Sequence, residues 1–344
     1  MTELLTLICL VTVPLAQDAT PTPISLSKQK NDFGTRIGLE LGGRFVGYLK
    51  SFSGGAITAE VITERSGTST ATKKHLGPVR YEPIVLQVGM DLEPDFYTWL
   101  ENYQTQRKSG ALIVTDRDSV VRKRLEFSQA LIAELALPML DASSKDAAYM
   151  TITLIPEQVR NSNNGLGVRL SSVKQKMQGG WLMNNFRLTI AGLDCTRVNQ
   201  VSSLIFRNTI VTHNSGEPRD ASKDTATQWF SDLIFSQSAS ASKTLENWHQ
   251  SFVVEGKNSE QAEKSGTLEF LTPDMKSSLF TLNLRGLGIY RIVPTAYEAN
   301  SAALSTLTAQ LYIEQVQLHF NSAAQDTQSS SSLLSKKSPT EKTP

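Results

Sequence analysis

The chain has little of the material from which cross-linked or metal-held frameworks are built. Its 344 residues include two cysteines, Cys9 and Cys195, which are too few for a disulfide framework or a cysteine-based zinc site. The four histidines stand far apart, and none belongs to an HxH or HxxxH pair of the kind that binds metal. The sequence therefore predicts no metal site and no cofactor.

An excess of charge is also missing. The chain has 34 basic and 33 acidic residues, which gives a formal net charge of +1. A nearly neutral chain has no general attraction to nucleic acid or to an anionic membrane. The basic run RKR at 122–124 is too short to form a nucleic-acid patch. The sequence thus contains no specific nucleic-acid motif.

The apolar run at 4–16, LLTLICLVTVPLA, is too short for a membrane-spanning helix, which needs about 20 apolar residues. It fits two interpretations. One is an export signal cleaved after Ala16, although Pro14 at −3 and an n-region without Lys or Arg disfavour it. The other is an N-terminal arm, residues 1–33, that packs on this protein or on a neighbour. At the other end, the Ser- and Lys-rich residues 321–344 are predicted to be a disordered tail.

Catalytic motifs are absent from the sequence. It contains no GxSxG, no Walker-type glycine loop, no GxGxxG between a strand and a helix, and no HExxH. Asp116 and Asp118 have a spacing that suggests a divalent cation, but their charged surroundings are typical of a hairpin turn. We therefore expect no catalytic residue and no enzyme activity.

What the chain does contain is an internal repeat. SGALIVTDRD at 109–118 returns as SGTLEFLTPD at 265–274, 156 residues later, and PEQV returns as IEQV after 157 residues. The segments around Trp99 and Trp248 also match, as do TRIGLELGGRFVGYL, from 35, and NFRLTIAGLDCTRVN, from 185. Matches in the same order predict two related domains, at 34–160 and 184–320, joined by a polar linker at 161–183.

Each copy is expected to consist of strands around one amphipathic helix. In the first copy, Gly42–Gly43 between alternating segments predicts a hairpin, and FRLTIAGLDCTRVNQ predicts its counterpart in the second. The stretch RSGTSTATKKHLGP, from 65, is interpreted as a long polar loop. The fold class is mainly β: two tandem β-barrels or sandwiches, each with one flanking α-helix.

The first copy resembles the contractile phage tail-tube family, which includes inner-tube proteins of phage-tail-like injection systems. The resembling features are Gly77–Pro78 and Tyr81, Gly89, the helix with Trp99, GALIVTDRD, EFSQAL, ALPMLDASS with Pro138, and MTITL. The second copy resembles it through SGTLEFLTPD, LNLRGLGIYRIVP and LTAQLYIEQV, but lacks the GPVRY element.

The resemblance implies tail-tube-like barrels that assemble into six-fold rings, with hairpins from each subunit joined around a lumen and no catalytic residue. Two copies in one chain depart from the single-domain pattern. They allow either a trimer with pseudo-six-fold symmetry or a hexamer. Arg36, Glu40 and Arg44 on the first hairpin are candidates to face the lumen, and an ordinary solvated strand face is the alternative.

The expected function is that of a structural subunit of a contractile phage tail or an injection particle, made in the cytoplasm. It would form either the inner tube or an adaptor between tube and baseplate or hub, with tube, sheath, hub or baseplate proteins as partners. The alternative is an exported two-domain β-sandwich protein that binds a surface or carbohydrate ligand. The apolar N-terminal run favours this second interpretation.

Overall fold

A computed structural model describes residues 35–65, 72–170, 181–213, 222–294 and 305–321. The predicted N-terminal arm, the middle of the predicted linker and all but the first residue of the predicted tail lie outside them. From Gly34 onward the chain forms one compact unit. Among the described residues, no helix is long and apolar enough to cross a membrane.

The first half of the chain is mainly β, as the alternating sequence predicts. It has eleven strands and one helix within its described residues. In chain order these are β1 (Arg36–Leu41), β2 (Arg44–Leu49), β3 (Ser51–Gly54), β4 (Ile57–Arg65), β5 (Thr72–Tyr81), β6 (Ile84–Val88), α1 (Pro94–Glu101), β7 (Lys108–Thr115), β8 (Val121–Ala136), β9 (Leu140–Asp141), β10 (Met150–Ile155) and β11 (Gln158–Asn161).

The second half has the same character. Its helix α2 continues into a π-helical turn at Gln250–Val254, and short 3-10 turns lie at Ala239–Ala241 and Glu260–Ala262. The strands and helix are β12 (Phe186–Ile190), β13 (Val198–Val201), β14 (Ile205–His213), β15 (Ser222–Phe230), β16 (Leu233–Ser238), α2 (Lys243–His249), β17 (Lys264–Leu271), β18 (Ser278–Pro294) and β19 (Thr306–Phe320).

The two halves have the same strand order. In the first, the sheet runs β1-β7-β8-β10-β6-β3, with β2 added beyond β1. In the second it runs β12-β17-β18-β19-β16-β13. Each half also places a hairpin, β4–β5 or β14–β15, and then a helix at the same points along the chain. Every neighbouring pair of strands is antiparallel, as expected where short turns join consecutive strands.

The pairing registers match residue by residue. Leu39 lies opposite Leu112 in the first half, and Leu188 lies opposite Leu268 in the second. The offset between Leu39 and Leu188 is 149 residues, one less than the sequence alignment of this segment gave. Register in a sheet decides which face each side chain occupies, so the matched registers give the two halves equivalent inner faces.

A bend in the long third strand also recurs. Gln129 in β8 has a φ of 47°, and Gly286 in β18, 157 residues later, has a φ of 61°. A left-handed residue in a strand produces a bulge that bends it, and glycine adopts this conformation without the cost of a Cβ. Each long strand thereby contributes its N-terminal part to one portion of the sheet and its C-terminal part to another.

Both helices bury apolar side chains in the core. In α1 these are Phe96, Tyr97, Trp99 and Leu100, with Trp99 and Phe96 at 0% exposure. Trp248 in α2 is 9% exposed. The ring nitrogen of each tryptophan donates to a backbone carbonyl, of Gln106 and Ala262 respectively. These bonds satisfy the indole N–H groups of both tryptophans inside the core, so both tryptophans are structural.

Three sequence expectations differ from the structure. The second predicted hairpin does not form: β12 pairs with β17, while β13 pairs with β16 and β9. Asp194 accepts hydrogen bonds from the backbone and hydroxyl of Thr196, and this local turn leads the chain away from β12. The first hairpin, β1–β2, is confirmed, with Gly42 and Gly43 at φ values of 56° and 79°.

The other two differences concern polar segments. Half of the predicted polar loop, residues 72–78, belongs to β5, while residues 66–71 lie outside the described residues. The side chains of β5 are exposed over its first five residues, and none in the strand is fully buried. The end of the predicted linker is part of the core: Trp181 is 2% exposed and packs edge-on against Phe270 and Phe280. In the sequence, strand β5 and the core position of Trp181 are indicated only by apolar residues within otherwise polar segments.

Candidate assembly interface

The two halves are joined by strand addition. Hairpin β14–β15 of the second half pairs with the C-terminal part of β8 in the first, with Ile205 opposite Ala136 and Phe206 opposite Leu135. The short strand β9 of the first half likewise pairs with β13 of the second. Adding a strand to a sheet edge satisfies backbone groups that would otherwise need water. The edge of β8 is therefore covered by the chain itself.

Side chains fix this docking. Phe206 is 2% exposed, and its ring lies edge-on to those of Tyr103 and Phe230. The side-chain amide of Asn208 donates to the carbonyls of Tyr103, at 3.1 Å, and Ile132, at 2.8 Å. Because Asn208 is 6% exposed, these two bonds hold the hairpin at one position along β8.

Charged groups surround the buried contact. Arg207 Nε lies 2.5 Å from Glu134 Oε2. The Lys223 ammonium donates to the carbonyl of Pro156 at 2.6 Å, and its backbone N–H donates to Glu157. Burial lowers the pKa of Lys223. Arg107 bridges Glu157 and Asp224. The hairpin thus carries residues of both signs that meet opposite charges on the first half.

Hairpin β4–β5 is the first half's counterpart of β14–β15. Ile57 lies opposite Tyr81 as Phe206 lies opposite Phe230, and both hairpins have an irregularity after the third pair. Within the described residues, however, β4 and β5 pair only with each other. Ile57 is 49% exposed and Leu76 is 71% exposed. One of two equivalent hairpins is docked and the other is open.

The three predicted lumen residues do not share one face. Arg36 and Glu40 lie on the face of β1 opposite the core, where Arg36 approaches the Tyr48 ring at 5.9 Å. Arg44 follows the tight turn and pairs with Asp95 on α1 at 3.4 Å. Because Leu41 lies opposite Arg44, Arg44 belongs to the other face. The three residues therefore do not form one row, and a lumen position for any of them stays a prediction.

Glu40 belongs to an ion-pair cluster that the sequence did not reveal. Arg124 contacts Glu40 at 2.6 Å and Glu126 at 3.1 Å, and Arg160 contacts Glu126 at 2.6 Å. Partial burial would by itself raise the pKa of Glu126, but hydrogen bonds from Ser162 and the two arginines hold that pKa at about 2. The cluster lines a cleft of about 640 Å³. The two arginines and the two glutamates of the cluster therefore pair with one another.

The remaining candidate sites are turns or isolated groups. Asp116 accepts hydrogen bonds from the backbone of Asp118 and Val120 and from Arg122. These bonds lower the pKa of Asp116, with the Val120 contact as the main cause, and they explain the residue as part of the turn between β7 and β8. Across the described ranges, no group of three or more His, Cys, Asp or Glu is placed to hold a metal ion.

Comparison with known families identifies the first half. Residues 31–160 match the family model described as T4-like virus tail tube protein gp19. The match covers 130 of the 344 residues, so it shows that this segment is similar to the tail-tube family. No curated protein sequence matches the chain.

Three solved structures that are similar to the chain each match 37–38% of its residues. A chain of the extracellular contractile injection system PVC sheath-tube complex is 24% identical, with 37% of this chain and 88% of that one covered at a TM-score of 0.33. A chain from the anti-feeding prophage tube-terminating cap is 27% identical over 37% and 87%, at 0.33. Hcp1 from Flavobacterium johnsoniae is 19% identical over 38% and 95%, at 0.25. At these scores the assignment depends on the family match.

Proposed function

We propose that the chain is a structural subunit of a contractile phage tail or a phage-tail-like injection particle. The single observation that carries this is the family match of residues 31–160. The second half supports it because its strand order repeats that of the tail-tube domain. The chain then holds two tail-tube domains produced by tandem duplication, and its role is mechanical rather than catalytic.

In this role the chain assembles into rings around a lumen. Each domain adds strands to the next, as β14 adds to β8 within the chain, and a head-to-tail contact that closes by rotation forms a ring. Three chains supply six domains. This ring suits an adaptor between a six-fold tube and the baseplate or hub, and a subunit of the tube itself is the alternative.

Electron microscopy of the purified protein tests this proposal. We expect rings with a central hole, and mass photometry should detect assemblies of three chains. Single rings that cap the end of a preformed tube would support the adaptor, whereas stacks of this protein alone would support the tube subunit. Monomers throughout a concentration series, with no ring in any image, would contradict the proposal.

A further inference from the structure

The open hairpin β4–β5 has a docked template in the same chain. Each residue of β14 corresponds to the residue 149 positions earlier in β4: Phe206 to Ile57 and Arg207 to Thr58. Phe206 is 2% exposed after docking, whereas Ile57 is 49% exposed. The docked hairpin β14–β15 therefore serves as a template: it indicates that β4–β5 fits a strand edge like that of β8. Among the described residues, β4–β5 pairs with no such edge.

That surface has its own counterpart in the second half. Leu135 in β8 lies opposite Ile152 of β10, and Ile292 in β18 lies opposite Ala309 of β19, with the same irregularity two pairs further on. The edge of β8 that receives β14 consists of Glu134, Leu135 and Ala136. Its counterparts, 157 residues later, are Arg291, Ile292 and Val293. In the part of the chain that the structure describes, these three residues pair only with β19.

We propose that hairpin β4–β5 of one chain adds to this edge of β18 in a second copy of the chain. The template fixes the register: Ile57 lies opposite Ile292, and Thr58 lies opposite Arg291. The contact is antiparallel, as it is between β14 and β8. This interface rests on the proposed function, because it is the contact between neighbouring subunits of the ring.

Two charged contacts of the template have counterparts on the proposed surfaces, whereas the ion pair of Arg207 with Glu134 is replaced by Thr58 and Arg291. The backbone N–H of Lys223 on the docked hairpin donates to the Glu157 carboxylate, and the charge of Glu157 acts on the Lys223 ammonium, whose own hydrogen bond goes to the Pro156 carbonyl. The corresponding residues are Lys74 on the open hairpin and Glu314 on β19. The next contact is a clearer sign. Asp224 pairs with Arg107 in the template, and the corresponding residues are His75 and Glu263.

The acidic and basic members of this second pair have exchanged places. A basic or proton-accepting residue replaces Asp224, and an acidic residue replaces Arg107. An exchange on both sides preserves complementarity, whereas a change on one side would place like charges together. The proposed contact is therefore complementary at both sites.

Exposed apolar side chains lie on both surfaces. Four large ones are on the open hairpin: Ile57, Val61, Ile62 and Leu76. In β18, Tyr290 next to the edge is 43% exposed, and Val254, in the π-helical turn that contacts β18, is 63% exposed. Isolated exposed apolar residues need no explanation, but a cluster on each of two surfaces already related by register fits an interface.

The alternation of docked and open elements also sets the direction of assembly. The β8 edge is already covered by the chain's own hairpin, so of these two equivalent edges, as far as the described residues show, the β18 edge is the one that a neighbour's hairpin can join. Each chain then offers one hairpin and one edge, which is a head-to-tail contact that closes into a ring. If each domain is rotated by about sixty degrees from the one before it, six domains complete the ring, and three chains of two domains supply them.

One detail predicts where the pairing stops. In the template, the N–H of Leu137 donates to the carbonyl of Leu204 at 2.8 Å, just beyond the paired residues. The counterpart of Leu137 is Pro294, which has no N–H to donate. The intermolecular ladder therefore ends at Val293, one hydrogen bond shorter than its template.

Cysteine cross-linking tests the register directly. In a background with Cys9→Ser and Cys195→Ser, Thr58→Cys is made in one sample and Arg291→Cys in another, and the two are mixed under mild oxidation. We expect a covalent dimer of one chain of each kind. The matched control replaces Thr58→Cys with Thr63→Cys, five residues along the same strand, and it should cross-link at least tenfold less.

A charge exchange gives a second measurement that does not depend on oxidation. Lys74→Glu should weaken assembly roughly two- to fivefold, as expected for the loss of a solvent-exposed ion pair, and adding Glu314→Lys should restore it. Ile57→Asp should weaken assembly by about tenfold or more, because it places a charge on the pairing edge. Met275→Asp, another exposed apolar position, is the control and should have no effect.

The outcomes separate this interface from the proposed function. If rings form normally but the Thr58→Cys and Arg291→Cys chains do not cross-link, the proposed interface is wrong and the proposed function is unaffected. Cross-linking of Thr58→Cys chains to one another would also overturn it, because the contact would then be symmetric. Monomers under all conditions would overturn both.

Discussion

Asn208 is the residue whose replacement tests the joint between the two halves most directly. Its amide donates to the carbonyls of Tyr103 and Ile132 from a position that is 6% exposed. Asn208→Ala removes both bonds and leaves two carbonyl acceptors with fewer donors, but it also removes Asn208 Oδ1, which is buried without a hydrogen-bond partner. A net hydrogen bond contributes about 0.5–1.5 kcal/mol, and an unsatisfied buried group costs about 1–3 kcal/mol. Two such bonds correspond to a loss of about 1–3 kcal/mol in the free energy of unfolding.

The measurement is equilibrium unfolding in urea, combined with hydrogen exchange of peptides from β14 and β15. The exchange of these peptides should rise more than that of peptides from β17, which lies away from the joint. Thr209→Ala is the control: Thr209 is exposed and bonds only the Thr227 hydroxyl, and its loss should cost less than about 0.5 kcal/mol. If Asn208→Ala and Thr209→Ala are equally stable, the two bonds do not hold the hairpin in place.

Two further predictions concern other parts of the fold. Trp181→Ala should destabilise the protein by about 3–5 kcal/mol in urea unfolding, because it leaves a cavity beside Phe270 and Phe280; a loss below about 1 kcal/mol would show that the predicted linker is not anchored there. The pKa of Glu126 is lowered to about 2 in the folded chain, so its contribution is present above its unfolded pKa of roughly 4.3 and is lost as the pH falls from there towards 2. Glu126→Gln should therefore be less stable than the parent at pH 7 and should lose less stability between pH 5 and pH 2; parallel pH profiles would refute this.

The elements that the sequence predicted are those whose signals are local. The Gly42–Gly43 turn lies between two alternating strands, and Trp99 lies on a helical stripe that ends before Gly110. The repeat was visible because the offsets change little along the chain. The turn and the helical stripe are each complete within a short stretch of sequence, and tertiary contacts do not override them.

The elements that were missed depend on distant partners. Nothing near Phe206 in the sequence indicates that it packs on Tyr103, a hundred residues earlier. Strand β5 has no buried face, so period-two alternation does not show it. The three lumen candidates are alternate polar residues of the first hairpin, and the turn places Arg44 on the other face from Arg36 and Glu40; their position relative to a lumen stays a prediction. Loss of the second hairpin followed from a side-chain turn at Asp194, which hydrophobic patterning does not register.

The late arrival of β14 has a consequence for synthesis. The edge of β8 is complete when Ala136 leaves the ribosome, but the strand that covers it ends at His213 and its hairpin at Phe230. At roughly 5–20 residues per second, the nascent chain carries an open edge for several seconds. During that interval, hairpin β14–β15 of another chain made on the same messenger can pair with the open β8 edge as well as the chain's own hairpin can, because the two hairpins are identical. Growing chains on one polysome are therefore at risk of exchanging hairpins before any ring exists.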